Sequence, residues 1–171
     1  MRKKIVYLFI FIAIAIFQLS FLPVVSGKSL AIDAVLMAIL AWSVIDGFFA
    51  FLSWTIFFGI VYDLLSYSIV GTYALIFLLV LYFVSFFSRR FSMEPHGMGI
   101  ILFLLFILVA TLASNAILAV ISAWHSQTFN GFWQSFGSFE STVIGLIFNT
   151  FLFFIFFFLI RRIKYFFAIT N

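Results

Sequence analysis

The chain has 171 residues, of which 67% are hydrophobic and 8% charged, with a formal net charge of +4 and a mean hydropathy of +1.34. A soluble domain carries roughly a quarter of its residues as Asp, Glu, Lys or Arg, so a water-surrounded globule is excluded and residues 1–171 are read as a single polytopic membrane domain. The basic residues stand at the ends of apolar runs, which speaks against nucleic acid as a partner. The absence of cysteine excludes disulfides, thiolate metal sites and a cysteine nucleophile.

The first apolar segment, Ile5–Leu22, follows Arg2, Lys3 and Lys4 and precedes small residues near Val24-Val25-Ser26-Gly27, which imitates a signal peptide. Its 18 residues exceed the usual ~7–15 of a signal core, so a retained first helix is favoured. The second and third segments, Leu30–Ile45 and Phe48–Tyr62, are short and separated only by Asp46-Gly47. They read as one long helix, two short spans or a re-entrant hairpin. Thr72–Phe87, Met98–Trp124 and Ser141–Ile160 complete the series. A span takes ~17–25 residues, so the first and last fit, and the fifth is long enough to tilt or to project into water. The run Phe151-Leu152-Phe153-Phe154-Ile155-Phe156-Phe157-Phe158 puts aromatic rings on every face of the sixth helix, which suits lipid contact.

Charge placement sets the parity. With six crossings and a cytoplasmic N-terminus, Arg2, Lys3, Lys4, Arg89, Arg90, Arg161, Arg162 and Lys164 are inside and only Lys28 is outside. Fusing the second and third segments leaves three basic residues inside and six outside. Lys and Arg are biased to the cytoplasm, so the even count wins. A re-entrant hairpin has the same parity. The expected fold is therefore an all-α integral membrane bundle of six hydrophobic helices, the second and third short or re-entrant, with both termini cytoplasmic.

Each polar group at membrane depth needs an account. Thr55, Gly59, Asp63 and Ser66 are spaced four, four and three apart, which puts them on one face of a continuing helix. An Asp at the bilayer centre costs ~2.5–3.5 kcal/mol, but Asp63 belongs near the outer end of the third helix, where the cost is small. It reads either as a helix-ending carboxylate of the Tyr62–Gly71 turn or as a group that fixes helix packing or binds a partner. Thr111, Asn115 and Ser122 share a narrow sector of the fifth helix, and Thr142, Gly145 and Asn149 one of the sixth. Ala34, Ala38 and Ala41 give the second helix a smooth face. Such residues let helices approach and hydrogen-bond across the contact. Asp46 is expected in a solvated cytoplasmic turn, and Asp33 at the start of the second helix, where the helix dipole favours a carboxylate.

Enzyme chemistry finds little support. An intramembrane aspartyl protease needs two carboxylates at one site. Tyr62-Asp63 supplies the first half, but Asp46, the only Asp followed by a glycine, belongs on the opposite membrane side. Lipoprotein signal peptidases have four spans and two Asp motifs that are missing here. His96 and His125 fall on opposite sides, so no metal site or serine–histidine pair assembles. There is no glycine-rich phosphate loop. No cofactor is expected.

The stretch from Gly59 to Leu75 reads Gly-Ile-Val-Tyr-Asp-Leu-Leu-Ser-Tyr-Ser-Ile-Val-Gly-Thr-Tyr-Ala-Leu. It resembles the most distinctive stretch of the rod shape-determining protein MreD family, in which a Gly-x-x-x-Asp-Leu-Leu-Ser run is followed by a glycine and an Ala-Leu pair. Gly59, Asp63, Leu64, Leu65, Ser66, Gly71, Ala74 and Leu75 stand at those positions. Chain length, span number, the basic loop at Arg89-Arg90 and Asp33 also look similar. The chain departs from the family in having Ala31-Ile32-Asp33 where Pro-Asp is frequent, and a non-basic turn at Asp46.

The resemblance implies a non-catalytic scaffold subunit of the rod-shape complex in the bacterial inner membrane. Its implied partners are an MreC-like membrane protein, the MreB filament, RodA and the transpeptidase that works with RodA, with membrane lipids around it. The implied role is to position peptidoglycan synthesis and maintain cell shape, with Gly59, Asp63, Ser66, Gly71, Asn115, Gly145 and Asn149 as the expected partner or helix-packing residues. The family is also similar to substrate-capture subunits of energy-coupling-factor vitamin transporters, which gives the alternative of a small-molecule transport subunit. Those subunits dock their coupling module through an Ala-x-x-x-Ala surface on the first helix. Here Ala13 and Ala15 do not form one, and Ala34 and Ala38 supply the spacing on the second.

Overall fold

Inside a bilayer no water is available to the backbone, so each apolar segment must satisfy its N–H and C=O groups internally. Every regular element among the described residues is accordingly helical. The computed structural model describes residues 2–26, 32–66, 69–88, 98–126 and 139–166. Lys28, Ala31, Arg89, Arg90 and His96 lie outside these, as do the side chains of Arg2, Lys3, Lys4, Ser122 and His125.

The elements are α1 (Arg2–Ile16), a π-helical turn (Phe17–Phe21), α2 (Leu22–Ser26), α3 (Ala34–Asp46), α4 (Phe48–Leu65), α5 (Thr72–Ser88), α6 (Met98–Ser126) and α7 (Phe139–Phe166). The first three form one rod, because the residues flanking the π turn keep right-handed helical dihedrals. The wide turn sits just before Pro23, whose ring and missing N–H disturb the preceding turn of a regular helix. It also turns Gln18 into the protein, where it is buried. Ile5–Val24, Gly99–Ile121 and Glu140–Phe166 are long and apolar enough to cross a membrane, whereas the helices between them are shorter.

Gly47 separates α3 from α4. Its N–H bonds to the Ser43 carbonyl, and its φ of +78° is a conformation that a Cβ would strain. The second and third segments are thus two short helices joined at a one-residue corner. α3, at 13 residues, is only about 20 Å long, against a ~30 Å hydrocarbon core. It is apolar all round and carries ten consecutive buried residues, Ala34 through Ser43, which makes it the axis of the bundle rather than a lipid-facing span.

Side-chain pairs fix the directions. Tyr7 meets Trp42 and Asp46, while Gln18 meets Val35, so α1 and α3 run antiparallel. Tyr7 packs on Trp54 and Phe11 stacks on Phe58 at 4.0 Å, so α4 runs with α1. Asp63 bonds Tyr73 and Tyr62 packs near Phe77, which makes α5 antiparallel to α4. Phe83 meets Phe106 while Tyr73 and Asn115 share a cavity, reversing direction again. Thr111 with Asn149 and Phe103 with Phe157 bring α7 back. α1 therefore begins and α7 ends at the same end of the bundle, where Lys164 pairs with Asp46.

The aromatic run of α7 is divided between two environments. Phe151 and Phe158 face outward, as expected for lipid contact, but Phe153, Phe156 and Phe157 are buried. The expectation of lipid contact on every face is corrected here. Phe153 and Phe157 each lie 5.5 Å from Phe103 and fill the space between α6 and α7.

Candidate functional site

The stretch from Gly59 to Leu75 forms the corner between α4 and α5. Gly59 is where the two backbones come closest: a Cβ built on it would lie 2.4 Å from the Ala74 Cα. No larger residue fits there without moving a helix, which explains why the motif pairs this glycine with an alanine. One turn further on, the fully buried Asp63 side chain caps α5. Its Oδ2 accepts from the Gly71 N–H at 2.7 Å and its Oδ1 from the Tyr73 N–H at 2.8 Å. These are N–H groups that a helix start leaves without intrahelical partners, and the positive end of the helix dipole favours the carboxylate. Gly71 adopts φ +102°, which a side chain would strain, and its carbonyl accepts from the Leu75 N–H. The Ser66 hydroxyl reaches the Asp63 carbonyl at 3.4 Å, and the Ser66 N–H bonds the Tyr62 carbonyl to end α4. Thr55, on the same buried face, returns its hydroxyl to the Phe51 carbonyl. Gly59, Asp63, Ser66 and Gly71 are thus brought together in one structural unit.

A second cluster gathers at the start of α3. Asp33 Oδ1 accepts from the Leu36 N–H at 3.0 Å, an N-cap bond. The Asp33 backbone N–H donates to Asn149 Oδ1 at 3.0 Å, and Asn149 Nδ2 donates to Thr111 Oγ1 at 3.1 Å. Gln18 Oε1 accepts from the Val35 N–H at 2.6 Å. One network therefore ties the π turn, α3, α6 and α7 together. Asn115 lies one turn along α6 from Thr111 and lines the same space, whereas Gly145 is buried one turn before Asn149.

A third cluster sits at the other end of α3. Asp46 Oδ2 accepts from the Tyr7 hydroxyl at 2.8 Å and from Trp42 Nε1 at 3.0 Å, while Lys164 Nζ pairs with Oδ1. The Asp46 side chain is 3% exposed. The expected solvated turn residue is therefore corrected: Asp46 joins α1, α3 and α7. Sequence reasoning missed this cluster because its members lie 39 and 118 residues apart. It also passed over Gln18, although an amide inside an apolar run is a signal that local sequence does carry.

Asp33 and Asp46 occupy opposite ends of α3, and Asp63 is committed to backbone N–H groups. The described residues contain no group of three or more His, Cys, Asp or Glu able to hold a metal. What the arrangement does chemically is fix helices to one another.

Neither a curated protein nor a solved structure matches the chain. The family model of the rod shape-determining protein MreD does match, over residues 1–163. That range takes in the Gly59–Leu75 corner, the cluster at the start of α3, the Asp46 cluster apart from Lys164 and nearly the whole of the last helix, and the chain belongs to the MreD family of rod shape-determining membrane proteins.

Proposed function

We propose that the chain is a non-catalytic scaffold subunit of the bacterial rod-shape complex, seated in the inner membrane with both termini cytoplasmic. In this reading it binds an MreC-like membrane protein, the RodA glycosyltransferase with its transpeptidase, and, through them or directly, the MreB filament. It thereby helps to position peptidoglycan synthesis. The observation that carries the reading is the use made of the carboxylates. The Asp46 carboxylate takes donors from α1 and α7 and that of Asp63 takes donors from the start of α5, while Asp33 caps its own helix and gives its backbone N–H to Asn149 of α7, as a rigid docking body requires. Outward-facing apolar residues such as Phe9, Ile16, Phe151 and Phe158 are left to lipid and to partner helices. In a bilayer, association rests on close packing and hydrogen bonds between such surfaces.

The transport reading loses its docking surface, because Ala34 and Ala38 are buried in the core. Co-purification from gentle detergent separates the two. Recovery of MreC-like and wall-synthesis proteins supports the scaffold. Recovery of a transporter coupling module, with cell shape intact on depletion, replaces it.

A further inference from the structure

A partly open cavity of about 200 Å³ lies beside the start of α3, at the end of the bundle away from the Asp46–Lys164 pair. Gln18, Asp33, Tyr73, Thr111, Asn115 and Asn149 bring polar groups to its wall from the π turn, the start of α3, α5, α6 and α7. Packing alone does not call for so many polar groups in one apolar bundle. Several of them hold each other, as the Asn149–Thr111 and Asp33–Asn149 bonds do. Asn115 is different: its Nδ2 is buried and has no hydrogen-bond partner among the described residues. A buried donor of this kind is destabilising until an acceptor reaches it from outside.

The wall chemistry narrows what could enter. The Asp33 carboxylate opposes an anion, and no cationic side chain lines the cavity among the described residues. The carboxylate already takes the Leu36 N–H and has the Gln18 amide and the Val35 N–H beside it, which of about four lone-pair positions leaves one for a further donor. Asn115 requires an acceptor. A guest must therefore both donate and accept without bringing negative charge. A cavity of ~150 Å³ holds one benzene ring, so this one has room for a single ring bearing substituents.

We propose that this cavity binds a neutral hydroxyl- or amide-bearing group the size of one sugar ring, with Asn115 donating to it and Asp33 accepting from it. The group belongs either to a free solute or to a lipid headgroup. This site stands apart from the scaffold reading, and neither depends on the other.

The test uses the full chain in nanodiscs of phosphatidylethanolamine and phosphatidylglycerol, with thermal unfolding as readout. The probes are N-acetylglucosamine, inorganic phosphate, and nanodiscs supplemented with monoglucosyldiacylglycerol. A neutral probe at about 100-fold excess over its Kd raises the midpoint by on the order of 5 °C. Asn115→Leu weakens that binding about tenfold or more, while its own midpoint without probe equals or exceeds the wild type, because an unmatched donor has been removed. Asn115→Ser, which withdraws the amide without adding bulk, gives the same loss of binding and serves if the leucine variant does not fold. A shift with free sugar assigns the group to a solute, and one confined to glycolipid nanodiscs assigns it to a lipid; either supports the site. No shift with either neutral probe, a shift with phosphate alone, or a shift that both Asn115 variants retain overturns it.

Discussion

Replacing Asp63 by asparagine keeps the side chain's shape and removes half of its acceptor capacity. In the native corner the two carboxylate oxygens accept from the Gly71 and Tyr73 N–H groups at 2.7 and 2.8 Å. Asparagine keeps one oxygen and turns its NH₂ toward the other N–H, so one bond is lost and two donors face each other. A hydrogen bond to a charged acceptor contributes ~1.5–3 kcal/mol, and an unmatched buried donor costs ~1–3 kcal/mol. Because the site is fully buried, Asp63→Asn is expected to destabilise by ~2–4 kcal/mol, and Asp63→Ala, which loses both bonds, by ~3–6 kcal/mol. At ~2–4 °C per kcal/mol for a chain of this size, the asparagine variant should unfold about 4–16 °C below wild type. Membrane insertion should not suffer, since removing a charge makes entry into lipid no harder. The assay is thermal unfolding of the purified protein in detergent, alongside the amount recovered in membranes and the partners that co-purify. A midpoint within about 1 °C of wild type would refute the capping argument, since a lost cap bond must register at this scale. If partner recovery alone then fell, Asp63 would be a contact residue between proteins, not a brace between α4 and α5.

Gly59→Ala should lower the midpoint through a cost of ~1–3 kcal/mol, and adding Ala74→Gly should restore only part of it, because the closest atom to the new Cβ is the Ala74 Cα; full restoration would place the clash elsewhere. Lys164→Met should destabilise by ~3 kcal/mol by leaving Asp46 buried without its cation, and Asp46→Asn in the same chain should recover part of that; equal midpoints for wild type and Lys164→Met would make the pair incidental. Thr170→Cys should resist an impermeant thiol reagent in intact cells and react after lysis, with no native cysteine to interfere, whereas labelling in intact cells would overturn the cytoplasmic assignment of the termini.

The sequence by itself determined the membrane class, the helical content and the even alternation of helices, because hydropathy and charge are properties of segments and survive without knowledge of packing. The Gly59–Leu75 motif was equally legible as a family mark, and the four-four-three spacing of Thr55, Gly59, Asp63 and Ser66 placed them on one helix face. Between the two readings open for Asp63, only tertiary structure decided: its carboxylate reaches N–H groups eight and ten residues further along, across the turn into α5. The fate of α3 was also beyond the sequence. Its residues are nearly as apolar as those of the long span α6, and burial inside the bundle arises from the helices that surround it. Asp46 shows the limit most clearly. An acidic residue beside a glycine in a short turn reads as solvated, and nothing local announces a lysine 118 residues away or a tyrosine near the chain's start. Long-range pairing of polar groups is set by which helices pack together. In a chain whose helices are apolar on nearly every face, periodicity does not encode that choice.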